Sequence, residues 1–223
     1  MSEVFFVRHG QASFGSDNYD KLSDLGHQQA EWLGQYFAHR DLQFDAVYTG
    51  DMVRHQETLA GIQKGLQIAT PDAQITPQLN EFDFHTLIKA YLVSKGESLP
   101  GQGSPRKEFY RILKSALHEW SAGTLTEGTP ETWQGFEQRV GSCLGDIGKQ
   151  SGRVLVVSSG GAISMALRQI LQSPASIMVD LNLQTKNTGV SHCFFNSQGF
   201  SLSSFNHVPH LDSPDRHHAV TYS

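Results

Sequence analysis

The chain opens on an apolar run that ends abruptly in charge. Val4, Phe5, Phe6 and Val7 are consecutive β-branched and aromatic residues, and Arg8, His9 and Gly10 follow at once. Such a run reads as a short strand buried on both faces. In open α/β sheets ligands bind beyond the carboxyl ends of the strands, so Arg8 and His9 are delivered to the place where a small molecule docks. A neutral imidazole is a competent nucleophile, and the planar fork of a guanidinium matches the oxygens of a phosphoryl group.

The rest of the chain alternates strand and helix patterns. Ser23 is the expected N-cap of a helix whose apolar face holds Leu25, Trp32, Leu33, Tyr36 and Phe37. Phe44–Tyr48 reads as a second strand, and the helix after it carries Met52, Leu59, Ile62 and Leu66, with Arg54 one turn in. Ala73–Leu79 supplies a third strand ending at Asn80, Glu81, Phe82 and Asp83. From 85 to about 130, glycines and prolines interrupt a short helical piece near Leu87–Val93, the pattern of a small helical cap inserted over the sheet edge. Ser104 with Pro105, then Thr129 with Pro130, mark the starts of two amphipathic helices, one carrying Phe109, Leu113 and Trp120 and the other Trp133, Phe136 and Val140. These stripes are read as core.

Arg153–Ser158 has the continuous apolar run of a central strand in a largely parallel sheet, with Ser159, Gly160 and Gly161 as its exit turn. A helix from Ala162 to Leu171 and a short one after Ser173 and Pro174 follow; Gly189–Phe195 and Gly199–Phe205 pair as a hairpin. The expected architecture is an α/β three-layer sandwich, a mostly parallel central sheet flanked by helices, forming a single domain over 1–223 with a polar tail from about 206.

Composition removes several function classes. A formal net charge of -5 with interspersed signs gives no basic stripe for nucleic acid and no polybasic patch for a membrane. Cys143 and Cys193 lack disulfide-framework or metal-ligand spacing and are expected as reduced thiols. Ser2 and Glu3 lead straight into a buried element, and no apolar run approaches membrane-spanning length, so a cytoplasmic protein is expected. Oligomeric state is left open.

The run from Val4 to Gly10, followed by Leu22, Ser23, Asp24, Leu25 and Gly26, resembles the opening of the histidine phosphatase superfamily, the phosphoglycerate mutase-like proteins. The resemblance implies that His9 accepts the phosphoryl group, that Arg8 and Arg54 bind phosphate, and that Glu81 is the proton donor. The chemistry agrees: two guanidiniums neutralise the phosphoryl oxygens while a carboxyl protonates the leaving oxygen. No metal and no other cofactor is called for. The implied partner is a small phosphorylated molecule or inorganic phosphate, and the implied activity is phosphomonoester hydrolysis through phosphohistidine. Gln11, Ala12, Ser13 and Phe14 after Gly10, with a short cap, argue against a mutase.

The departure is Ser159. The family usually has a second histidine there; this chain has Ser158, Ser159, Gly160 and Gly161. Losing one such donor costs ~10²–10³ in rate, so the expectation is a weakened hydrolase, with a non-catalytic phosphate-binding module as the alternative. Ser159→His is then expected to raise turnover. Ser159 and Gly160 remain candidate phosphate contacts, the glycines through backbone N–H groups at a helix start. Gln11, Ser13 and His85 are candidate substrate contacts, and Arg106 and Lys107 candidate contacts for an anionic one. His192 reads as structural. His207, His210, His217 and His218 fall in the tail, the last two as an adventitious metal patch.

Overall fold

The computed structural model describes residues 1–13, 20–99 and 106–222. One six-stranded sheet organises them, in the order β3-β2-β4-β1-β5-β6. Strand β1 (Ser2–Arg8) lies in the middle between β4 (Arg153–Ser158) and β5 (Val190–Asn196). It pairs parallel with β4, Arg8 opposite Ser158, and antiparallel with β5. Strands β2 (Ala46–Thr49) and β3 (Ala73–Ile75) extend the parallel side, and β6 (Gly199–His207) closes the antiparallel side as the hairpin partner of β5.

The continuous apolar run of β1 is used on both faces. Val4 and Phe6 point into one cluster, and Phe5 and Val7 into another. The second cluster is covered by α1 (Asp24–His39) and α2 (Val53–Leu66) through Leu33, Phe37, Leu59 and Ile62. The first is covered by α3 (Phe84–Lys95), α4 (Arg106–Ser121), α5 (Trp133–Ile147), α6 (Gly160–Ile170) and α7 (Ala175–Gln184). Three layers result, as the alternating pattern implied. Leu87, Ile88, Leu117 and Trp120 of the segment expected as a cap belong to the same core as Val4 and Phe6. That segment is therefore part of the helical layer.

Local signals hold where a side chain enforces them. Ser23 caps α1 by accepting the Gly26 N–H at 3.0 Å. The second strand is shifted, running Ala46–Thr49 where the pattern placed Phe44–Tyr48. Arg54 lies in the first turn of α2. The third strand stops at Ile75, because Pro77 has no N–H for the ladder and opens a 3₁₀ turn, Pro77–Leu79, capped by Thr76. The start of α5 is corrected from Thr129 to Thr132, whose hydroxyl accepts the Gly135 N–H at 3.0 Å, while the Thr129 hydroxyl donates to the Thr126 carbonyl. Ser104 and Pro105, the side chain of Arg106, and Phe14 lie outside the described residues.

The polar tail is ordered, contrary to its lack of periodicity. Strand β6 reaches His207, 3₁₀ turns follow at Pro209–Leu211 and His217–Ala219, and His210, Leu211 and Ala219 are buried. Gln29 of α1 donates its amide to the Ala219 carbonyl at 2.6 Å and to the Thr221 hydroxyl at 3.0 Å. Next to them, at the carboxyl end of β1, Arg8 donates to the Tyr222 carbonyl at 3.1 Å. Cys143 and Cys193 are buried and unpaired, and burial pushes both thiols up to about 12. Among the described residues no helix is long and apolar enough to cross a membrane.

Candidate active site

The carboxyl end of β1, the start of α2 and the segment after the Pro77–Leu79 turn meet at one small cavity of about 100 Å³. Arg8, His9, Arg54 and Glu81 all line it. Its walls are apolar: Phe82, Phe84, Phe109, Tyr110, Leu113 and Leu183, with Asn182 and Tyr222 as further polar neighbours.

His9 is held from three sides. Its N–H donates to the Ser158 carbonyl at 2.8 Å, and its own carbonyl accepts from the Asn187 amide at 3.2 Å. Its Nδ1 lies 2.7 Å from the Gly10 carbonyl. A carbonyl only accepts, so the proton sits on Nδ1 and the lone pair on Nε2. That nitrogen faces Arg54, whose Nε–H donates to it at 3.2 Å. Burial, then the charges of Arg54 and Arg8, hold the imidazole well below its ordinary value, outweighing the opposing Gly10 bond. His9 is thus neutral at pH 7, the state a nucleophile needs.

The arginines are placed by long-range contacts. Arg8 donates through Nη1 to the carbonyl of Thr185 and, at 3.1 Å, to that of Tyr222 in the tail. Arg54, 4 % exposed, pairs through Nη1 with Asp20 at 2.7 Å.

Glu81 stands on the other side. Its Oε2 accepts the Gly161 N–H at 2.9 Å and its Oε1 the Phe82 N–H at 3.2 Å. Desolvation still dominates and raises its pKa above the ordinary 4.5, against the pull of the Gly161 bond, Arg54 and Arg8. The carboxyl accordingly keeps its proton to higher pH than a surface glutamate. Gly161 makes room for it, because a Cβ there would lie 2.1 Å from Glu81 Oε1.

The other sequence candidates sit elsewhere. Ser159 is fully buried, 2.6 Å from Nε2 of His55, and does not line the cavity. Gly160 is buried at the start of α6. Gln11 accepts from Ser23 at 2.8 Å and donates its N–H to Gln29 at 2.8 Å, so it fastens α1. Ser13 donates to the Lys21 carbonyl at 3.1 Å. His85 is exposed beside Phe84, and Lys107 is exposed. Phe109 and Leu113, read as core, are pocket wall as well. His55, Asp20, Asn182, Thr185 and Tyr222 went unnoticed in the sequence. None stands in a local motif, and each reaches the site only through tertiary contact.

In this arrangement the Nε2 lone pair can attack phosphorus while the two guanidiniums take the phosphoryl oxygens, and a protonated Glu81 can protonate the leaving oxygen. Similar folds are well populated. A phosphoserine phosphatase mutant from Entamoeba histolytica, solved with phosphoserine, superposes with a TM-score of 0.66 at 19% identity, over 95% of this chain and 100% of that one. A phosphoglycerate mutase from Bacillus anthracis gives 0.66 at 18% identity over 94% of each chain. The α-ribazole phosphatase from Shigella flexneri gives 0.65 at 20% identity, over 92% of this chain and 96% of that one. No curated protein matches the chain in sequence. The family model of the histidine phosphatase superfamily (branch 1) matches residues 4–93 and 97–208, a span that runs from the first residues of β1 past the end of β6 and takes in His9, Arg54 and Glu81, and it is to this superfamily that the chain belongs.

Proposed function

We propose that this protein is a phosphomonoester hydrolase working through a phosphohistidine on His9. The observation that carries the reading is the tautomer: the Gly10 carbonyl fixes the proton on Nδ1, leaving Nε2 as a lone pair in the pocket beside two guanidiniums. In the first half-reaction Nε2 forms a bond to phosphorus as the phosphorus–oxygen ester bond breaks, and the leaving oxygen takes its proton from Glu81. In the second, the Glu81 carboxylate takes a proton from water as the water oxygen attacks phosphorus. The phosphorus–nitrogen bond then breaks, its electron pair returning to Nε2. Each step conserves charge and needs only these groups.

A small phosphorylated substrate suits the cavity, which is well below the ~300–1,000 Å³ of pockets that enclose drug-sized ligands. Two of the similar folds are phosphatases by name, which supports hydrolysis over phosphoryl transfer between sugars or acids.

The test is a rapid quench into alkali with a radiolabelled phosphomonoester such as p-nitrophenyl phosphate. Label on the protein that survives alkali, is released by acid and is absent from His9→Ala supports the reading. Turnover with an acid-stable label would overturn it. Background turnover together with phosphate binding would favour the non-catalytic module.

A further inference from the structure

Directly behind His9 lies a second imidazole. His55, the residue after Arg54 on α2, is fully buried, and its ring centroid is 5.7 Å from that of His9 at a 34° tilt. Its Nε2 is 2.6 Å from the hydroxyl of Ser159. Among the described residues its Nδ1 has no hydrogen-bond partner, and that edge packs against Gly50, where a Cβ would come within 2.1 Å. An apolar side chain would fill the same volume without leaving a buried polar atom unpaired.

Ser159 is equally committed. It occupies the N-cap position of α6 but makes no capping bond to its own helix; its hydroxyl is spent on His55. On either side of it the chain touches the reacting groups. The Ser158 carbonyl accepts the N–H of His9 at 2.8 Å, and the Gly161 N–H donates to Glu81 at 2.9 Å. With no hydrogen bond made at Nδ1 among the described residues, the His55 proton belongs on Nε2, donated to Ser159.

We propose that His55 is the positioning residue of this site: through its bond to Ser159 and its contact with the ring of His9 it fixes the turn that links the nucleophile to Glu81. This deepens the reading of His9 as nucleophile and rests on it. The imidazole is delivered from α2, one residue past a phosphate-binding arginine, and works from behind the pocket without touching substrate. Burial and the charge of Arg54 hold it well below its ordinary value, so it adds no cation behind His9.

Its loss should move geometry more than binding. Displacement of a reacting group by about 1 Å costs on the order of 10²-fold in rate. For His55→Ala we expect kcat on p-nitrophenyl phosphate to fall by roughly that factor while KM and inhibition by inorganic phosphate stay near wild type. Ser159→Ala should fall similarly, with the double variant no slower than either single one. His55→Gln, whose amide can still donate to Ser159, should recover most of kcat.

Nitrogen-15 spectra of the histidine rings give a readout independent of turnover: His55 as the Nε2–H tautomer and His9 as the Nδ1–H tautomer, with the His9 ring resonances shifted in His55→Ala and restored in His55→Gln. An unchanged kcat in a folded His55→Ala protein, or a His55 proton on Nδ1, overturns the assignment. If wild-type turnover is itself at background, the hydrolase reading fails, and the tautomer spectra alone decide the role of His55.

Discussion

Arg54 donates its Nε–H to Nε2 of His9, the nitrogen proposed as nucleophile, the two atoms lying 3.2 Å apart. Asp20 holds the same guanidinium through Nη1 at 2.7 Å. A phosphoryl oxygen carries more charge than a neutral imidazole and is the better acceptor, so in the proposed mechanism a bound phosphoryl group takes this donor and frees the lone pair.

That relationship predicts that Arg54→Lys is not conservative. Lysine keeps the charge but has neither the Nε–H nor the planar fork. The expected loss in kcat/KM is ~10²–10³, the cost of one preorganised donor, with phosphohistidine formation falling in parallel. A kcat/KM within a few fold of wild type would remove Arg54 from the clamp.

The opposed shifts of His9 and Glu81 set the pH profile. His9 titrates below its ordinary 6.5, so the nucleophile is lost only as pH falls below that value. Glu81 titrates above its ordinary 4.5, so proton donation is complete at low pH and is lost as pH rises through the elevated pKa. For an alkyl phosphate, whose leaving oxygen needs the proton, kcat should show an alkaline limb that disappears in Glu81→Gln. In kcat/KM, which reports the phosphorylation half-reaction alone, the same substitution should cost p-nitrophenyl phosphate much less than the alkyl phosphate. Equal slowing of both substrates would take Glu81 out of the acid role.

The expectation that Ser159→His raises turnover is revised by the structure. The serine oxygen is already 2.6 Å from His55 Nε2, so a second imidazole would overlap the first. Overpacking of this kind costs about 1–3 kcal/mol. The single variant should melt several degrees lower with no gain in kcat, whereas His55→Ala with Ser159→His vacates the space and should exceed His55→Ala alone in kcat. A single variant faster than wild type at undiminished Tm would contradict the packing described.

His210 makes stability depend on pH. Its Nε2 meets the Thr188 hydroxyl at 2.8 Å, and burial, then the charge of Arg216, lowers its pKa to about 3. The folded pKa lies below the unfolded one, so its contribution is intact above 6.5 and is lost as pH falls from 6.5 towards about 3. Between pH 6.5 and 5 the loss from this group is roughly 2 kcal/mol. Unfolding of His210→Gln should fall less steeply over that interval, as denaturant titrations at the two pH values would record. Parallel slopes would place His210 in contact with water.

What the sequence determined by itself is what short-range physics dictates. The apolar run Val4–Val7 demanded a strand with both faces covered, Ser23 capped its helix, and the Arg8–His9–Gly10 exit placed an imidazole and a cation at the carboxyl end of a central strand. Arg54 and Glu81, which the fold brings to the cavity beside Arg8 and His9, were singled out by the family resemblance of the sequence. Choices between equivalent local signals were beyond it: Thr129 and Thr132 are both good N-caps, and only packing around Trp120, whose Nε1 donates to the Glu131 carbonyl, selects the second. The tertiary structure alone brought His55 behind His9, folded a tail without periodicity back until the Tyr222 carbonyl met Arg8, and buried Ser159 away from the pocket. These contacts join residues far apart in the chain or on different elements, and neither period nor propensity encodes which side chains the closed fold will bring together.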